Sequence, residues 1–178
     1  MGSVIMIKLN QKKNIKGFTL LEALVAISIL MVAVVAPITI AQKGLSSASY
    51  SKNQMIASYL AQDAIEYIKN KRDINIINNG ILQSNWLNDF EDCFDLNYCA
   101  IDTVTTGPSV ITNEDNVLNK DTYGFYSYDT GDSTNFTRKI NIKLQEIDGS
   151  NDQALITVIV SWGGTDNQVI VKTLIYNI

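Results

Sequence analysis

The sequence contains no histidine. That removes the commonest general base near neutral pH and the commonest metal ligand. Any acid–base chemistry would have to rest on Asp, Glu, Lys or Tyr, and no nucleophile–base pair stands out among them. Cysteine is nearly as scarce, with Cys93 and Cys99 alone, too few to close a four-ligand zinc site. Acidic residues are missing from one end: none precedes Glu22, whereas Lys8, Lys12, Lys13 and Lys16 all do. Neither an enzyme nor a cofactor-dependent or metal-dependent protein is expected from such a composition.

What is present is unevenly placed. From Phe18 to Ala41 the only charged residue is Glu22, and the run is long enough for a bilayer span, which takes about 20 apolar residues. Beyond Ala41 the chain is polar and rich in Asn, Asp, Ser and Thr. The net charge of −4 becomes −8 once the four lysines before Gly17 are set aside. Basic residues flanking a span stay on the cytoplasmic side, so the N-terminus is expected inside and the rest outside. A negatively charged outer part argues against nucleic-acid binding through bulk electrostatics, and no nucleic-acid partner is expected. In an extracytoplasmic location Cys93 and Cys99 would form a small-loop disulfide. Unpaired thiols would suit a cytosolic domain, which the charge asymmetry disfavours.

The apolar run is too long for the core of a secretory signal peptide, although small residues do follow it at Leu45-Ser46-Ser47-Ala48. A plain signal anchor would explain the lysines and the span but give no role to Gly17 or Glu22. Lys16-Gly17-Phe18-Thr19-Leu20-Leu21-Glu22 resembles the processing site of type IV prepilins and type II secretion pseudopilins, and Ala23 to Pro37 is similar to the helix that follows it in that family. The resemblance implies cleavage between Gly17 and Phe18 by a prepilin peptidase/methyltransferase, N-methylation of Phe18, and a role for Glu22 in setting register during assembly with other pilin subunits. Met1 and Met6 could each open the basic leader.

Physical chemistry supports these roles. Gly17 offers an enzyme close access to the backbone. Cutting there creates a cationic α-amine at Phe18. An amine and a carboxylate can neutralise each other where water is scarce, and losing one partner of a buried pair costs about 3–5 kcal/mol.

The helical pattern continues past the membrane through Leu45, Ala48, Ile56, Leu60, Ala64 and Tyr67, and basic residues at Lys69–Arg72 predict its end. Pro37 and Gly44 weaken it and mark an expected kink, or, as the resemblance implies, a segment that unwinds when subunits pack into a filament. After Asp73 the pattern changes. Asn78-Asn79-Gly80 reads as a turn, Ser84 as the cap of a short helix through Trp86, Leu87 and Phe90, and Thr103 to Lys120 as an irregular loop. Tyr123–Tyr128, the alternation around Ile140, Ile142 and Leu144, the run Ala154–Trp162 and the run Val169–Tyr176 read as strands.

The expected fold is α+β: a pilin-like lollipop whose long N-terminal helix packs on an antiparallel sheet of three to four strands. The expected organisation is a leader at 1–17, a transmembrane and assembly helix at 18–41, an amphipathic continuation at 42–72 and a globular extracytoplasmic head at 73–178. The closing run from Val158 to Ile178 resembles minor pilins of the pilus-modification type and their type II secretion relatives. The implied function is a filament subunit held in the cytoplasmic membrane and then assembled into a surface filament. A secretion or competence pseudopilin and a membrane-anchored adhesive module are the alternatives. Two acidic groups, Asp89, Glu91, Asp92 and Asp95 near the cysteines and Asp129, Asp132 and Asn135 at a turn, read as solvated surface rather than calcium loops. The Asn135-Phe136-Thr137 glycosylation triplet reads as part of a strand edge.

Overall fold

A computed structural model of the chain describes residues 17–79, 86–104, 110–111, 115–147, 150–164 and 166–177. The leader lysines, both candidate initiator methionines, Gly80, Ser84 and the turn residues Asp148 and Gly149 lie outside them. The fold is α+β, with one long helix, α1 (Leu20–Asn79), and an antiparallel sheet. The chain divides into two units, one ending at Ser47 and one running from Ala48 to Ile178, and each is described by itself.

In the first unit α1 carries its apolar side chains on all faces, and they are exposed throughout: Leu20, Leu24, Ile27, Met31, Val35 and Ile40 are examples. A helix apolar all round belongs in a protein core or a membrane, and within this unit no core covers it. Two of its hydroxyls are satisfied internally. Ser28 donates to the Leu24 carbonyl (2.8 Å) and Thr39 to the Ala36 carbonyl (2.8 Å), so neither brings an unmet donor into hydrocarbon.

In the second unit the outer part of α1 buries Ala57, Leu60, Ala61, Ala64, Ile65 and Ile68, the alternating three- and one-residue steps of an amphipathic face. Leu45 and Ala48, expected on this stripe, are exposed, and Ile56 and Tyr67 are half-buried. Three of the six buried residues are alanines, Ala57, Ala61 and Ala64. The helix also continues past the end expected at Arg72. Ile76 packs against the core, Asn75 donates to the Trp86 carbonyl (3.3 Å), and Arg72 bonds Asp73 (2.8 Å) and the Tyr176 carbonyl (3.2 Å). These tertiary contacts outweigh the local stop signal of the basic cluster.

The main sheet has five strands, against the three to four expected, in the order β4-β3-β5-β6-β7. They are β3 (Val117–Lys120), β4 (Tyr126–Ser127), β5 (Asp132–Ile147), β6 (Ser150–Trp162) and β7 (Asn167–Tyr176), and a separate pair is made by β1 (Ala100–Ile101) and β2 (Val110–Ile111). The expected loop over Thr103–Lys120 therefore holds β2 and β3. They are too short to show a period, and they exist because β5 and β1 offer them edges. The expected Tyr123–Tyr128 strand shrinks to β4, because Asp121 folds the preceding segment into a turn. Its Oδ1 accepts from the amides of Tyr123 (2.9 Å) and Phe125 (2.8 Å). The short helix near Trp86 is a 3₁₀ segment, Asn88–Cys93, with Leu87 and Phe90 buried.

The inward face of the sheet carries Phe136, Ile140 and Ile142 from β5 and Ala154, Ile156, Val158, Val160 and Trp162 from β6. Gly131 sits where β5 leaves the β4 turn, at φ +120, and a Cβ there would lie 2.5 Å from the Lys120 carbonyl carbon. Only glycine fits that crossing.

Candidate functional site

The sequence-predicted processing residues lie at the start of α1. Gly17, Phe18 and Thr19 are exposed and non-helical. A Cβ added at Gly17 would meet nothing within 4 Å, so the Gly17–Phe18 bond lies in open, non-helical backbone ahead of the helix. Phe18 is 76% exposed.

Thr19 explains why the helix begins at Leu20. Its carbonyl accepts from the Ala23 amide (3.1 Å) and its Oγ1 accepts from the Glu22 amide (3.3 Å). Thr19 is thus the N-cap and Glu22 the third helical residue, the spacing of a capping box, Thr-x-x-Glu. The Glu22 carboxylate also sits in the first turn, where the helix dipole favours negative charge. This feature escaped the sequence reading, though the four-residue pattern was its signal. Both cap residues lie on the Phe18 side of the Gly17–Phe18 bond, so cutting that bond leaves the cap whole. No cation forms an ion pair with Glu22 among the described residues.

Pro37 and Gly44 both lie inside the continuous helix of the single chain. Pro37 lacks the N–H that would reach the Ala33 carbonyl, but one missing bond does not end a helix of 60 residues.

Cys93 and Cys99 form a disulfide with Cα atoms 5.0 Å apart. The loop between them is tied to β5. Cys99 and Ile140 exchange backbone bonds (2.9 and 2.8 Å), the Asp95 amide donates to the Ile142 carbonyl (3.1 Å), and Asn141 Nδ2 donates to the carbonyls of Asp95 and Asn97 (2.8 Å each). The surrounding carboxylates Asp89, Glu91, Asp92 and Asp95 are exposed, as are Asp129, Asp132 and Asn135.

Arg138 was not among the candidates drawn from the sequence. It lies on the inward face of β5 and is 0% exposed. Its Nη1 donates to the Leu60 carbonyl of α1 (3.1 Å) and to Asp63 Oδ2 (3.3 Å), and its Nη2 donates to the Ile101 carbonyl of β1. One guanidinium thereby joins α1, β1 and β5. Asp102, the residue that follows β1, is also buried and accepts from the amides of Val104 and Tyr128 (3.0 Å each). Burial raises the Tyr128 phenol above its ordinary pKa; the Arg138 charge and bond pull it partly back, and Asp102 adds to the rise.

Residues 12–36 match the family model of the prokaryotic N-terminal methylation motif. The chain carries a type IV pilin-type methylation motif. No curated protein and no solved structure matches the chain. The methylation motif contains Gly17, Phe18, Thr19 and Glu22, and it ends at Ala36, one residue before Pro37. It covers the capped start of α1 and much of its exposed apolar stretch, and both fit a type IV pilin-like or pseudopilin subunit.

Proposed function

We propose that this chain is a structural subunit, a minor pilin, of a type IV pilus or related filament. It is held in the cytoplasmic membrane by α1, cut after Gly17, N-methylated at Phe18 and assembled through the same helix. In this reading residues 1–17 are the leader, 18–41 the membrane and assembly helix, 42–72 its amphipathic continuation and 73–178 the extracytoplasmic head. The observation that carries it is the coincidence of the methylation motif with an exposed, non-helical Gly17–Thr19 and a helix whose apolar residues are exposed on every side. The Cys93–Cys99 disulfide supports a head outside the cytoplasm. Subunits carrying this motif are structural rather than enzymatic, and their partners are the prepilin peptidase and other pilins.

Glu22 then has a defined task. Its carboxylate meets the new α-amine of Phe18, its own or that of a neighbouring subunit, and fixes the register of the incoming chain. The test is exposure of the full chain in detergent to a prepilin peptidase, followed by mass measurement of the product. Release of the leader with a product starting at Phe18 is expected, and Gly17→Val blocks it. Cleavage elsewhere, or none in the wild-type chain, overturns the reading.

A second, compatible reading is an adhesive role for the head. One observation favours it: an open cleft of about 510 Å³ lined by Tyr59, Phe125, Tyr126, Val104 and Ile56, with Asp63 at its wall. Its size and aromatic lining are those of small-ligand sites.

A further inference from the structure

The two edges of the five-stranded sheet are built differently. One edge is β4, two residues long, with glycines at positive φ on both sides of it at Gly124 and Gly131. Short, turn-bounded strands blunt an edge against unwanted pairing. The other edge is β7. It runs ten residues, contains no proline, and pairs with β6 without a register shift from Asn167↔Trp162 to Tyr176↔Gln153.

The hydrogen bonds show which backbone groups of β7 face outward. In an antiparallel pair, opposed residues alternate between those that exchange both bonds and those that exchange none. The Asn177 amide donates to the Asp152 carbonyl (2.9 Å), so the odd-numbered residues of β7 are the ones bonded to β6. The even-numbered ones aim away from the sheet. Arg72 gives an independent check, because its Nη1 reaches the Tyr176 carbonyl at 3.2 Å, an outward group taken by a side-chain donor. Beyond that capped end, the amides and carbonyls of Gln168, Ile170, Lys172 and Leu174 have no partner among the described residues.

The side chains at these positions share one face. Ile170 is 49% exposed and Leu174 44%, with Lys172 between them. On β6 the residues opposite are Ile159, Thr157 and Leu155, and on β5 the next are Lys139, Asn141 and Lys143. These three rungs carry no acidic residue in a chain that has 18. Lys139 is engaged by Asp115 (2.8 Å), but Lys172 has no carboxylate beside it among the described residues.

We propose that β7 receives an extended segment of another polypeptide, which joins the sheet as an added strand and sets an acidic side chain against Lys172, with apolar side chains against Ile170 and Leu174. Strand addition of this kind draws affinity from main-chain bonds and selectivity from alternate side chains. A second copy of β7 does not meet the requirement. The strand contains no Asp or Glu, so no register of self-pairing supplies Lys172 with a counter-charge. This inference does not depend on the filament reading.

The test uses the full chain in detergent micelles and two synthetic peptides, Thr-Val-Thr-Glu-Thr-Val-Thr and the same peptide with Lys for Glu. Amide hydrogen exchange is read at Ile170, Lys172 and Leu174. The Glu peptide is expected to slow these amides by about tenfold or more at saturation, as a newly bonded strand does, and the Lys peptide is not. Lys172→Pro removes an outward N–H while sparing the β6 ladder, since proline is tolerated where the N–H faces solvent. It is expected to abolish the effect while the amides of Val169, Val171 and Thr173 stay protected. Lys172→Glu keeps the backbone and is expected to reverse the peptide preference. No slowing by the Glu peptide, equal response to both peptides, or undiminished binding to Lys172→Pro each overturns the proposal. Protection that rises with protein concentration in the absence of peptide assigns the edge to a second copy and overturns it as well.

Discussion

Arg138 is the residue on which the packing of the second unit turns. A guanidinium with no exposure has left water entirely, and it is held there by three acceptors, two on α1 and one on β1. Arg138→Ala is expected to cost about 3–5 kcal/mol in chemical denaturation, from the lost bonds and the space left behind. Asp63→Asn should cost no more than about 1 kcal/mol, because its side chain is half exposed and water replaces much of the pair. Equal losses would mean the ion pair, rather than the carbonyl bonds, carries the contribution.

Tyr128 gives a pH signature at the same place. Its folded-state pKa is raised and the unfolded phenol titrates near 10. The stability it contributes is therefore whole below about pH 10 and is lost as pH rises through the raised value. In Tyr128→Phe, the alkaline limb of the stability profile should flatten and one phenol ionising above the ordinary value should vanish from an absorbance titration. An unchanged alkaline limb would remove Tyr128 from the account.

The inward position of Arg138 was readable, since it shares parity with Phe136, Ile140 and Ile142. A cation at an inward position instead reads as the end of the buried run, and only the acceptors on α1 and β1, remote in sequence, make it tolerable. Thr19 was legible by spacing, as a capping residue three before Glu22.

At the scale of elements, long periodic segments were legible and short ones were not. The β5–β7 meander and the exposed apolar length of α1 follow from local pattern, because alternation and unbroken hydropathy need no distant partner. β1 to β4 are two to four residues each, and their pairing depends on where β5 passes. The far end of α1 was misplaced for the same reason, since Asn75 and Arg72 hold it through Trp86 and Tyr176.

Two element-scale outcomes follow. Replacing Cys93 and Cys99 by serine should lower stability by about 2–4 kcal/mol, the usual range for a disulfide, while the Cys99–Ile140 backbone pairing persists in the exchange pattern. Loss of protection at Ile140 would show that the disulfide, and not the ladder, positions the loop. Pro37→Ala should strengthen α1 by about 3 kcal/mol locally. If assembly unwinds Pro37–Gly44, the substitution lowers the yield of sheared filaments without reducing membrane insertion. Unchanged yield, or a filament map with helix through Ala36–Leu45, would defeat that idea.

At the scale of the whole molecule, a cut, a carboxylate and a helix belong to one proposed function. In that proposed function, cleavage after Gly17 would remove the leader lysines, keep the Thr19 cap, and create the amine for Glu22. Glu22→Ala should leave leader removal near the wild-type rate and sharply reduce incorporation into filaments, as quantified by the ratio of processed subunit in sheared and membrane fractions. Normal incorporation would end the register role. The most direct test of the central claim is the identity of the first residue of this chain in sheared surface filaments, determined by mass spectrometry. N-methylated Phe18 is expected. A chain recovered only from membranes, still beginning at Met1 or Met6, would contradict it.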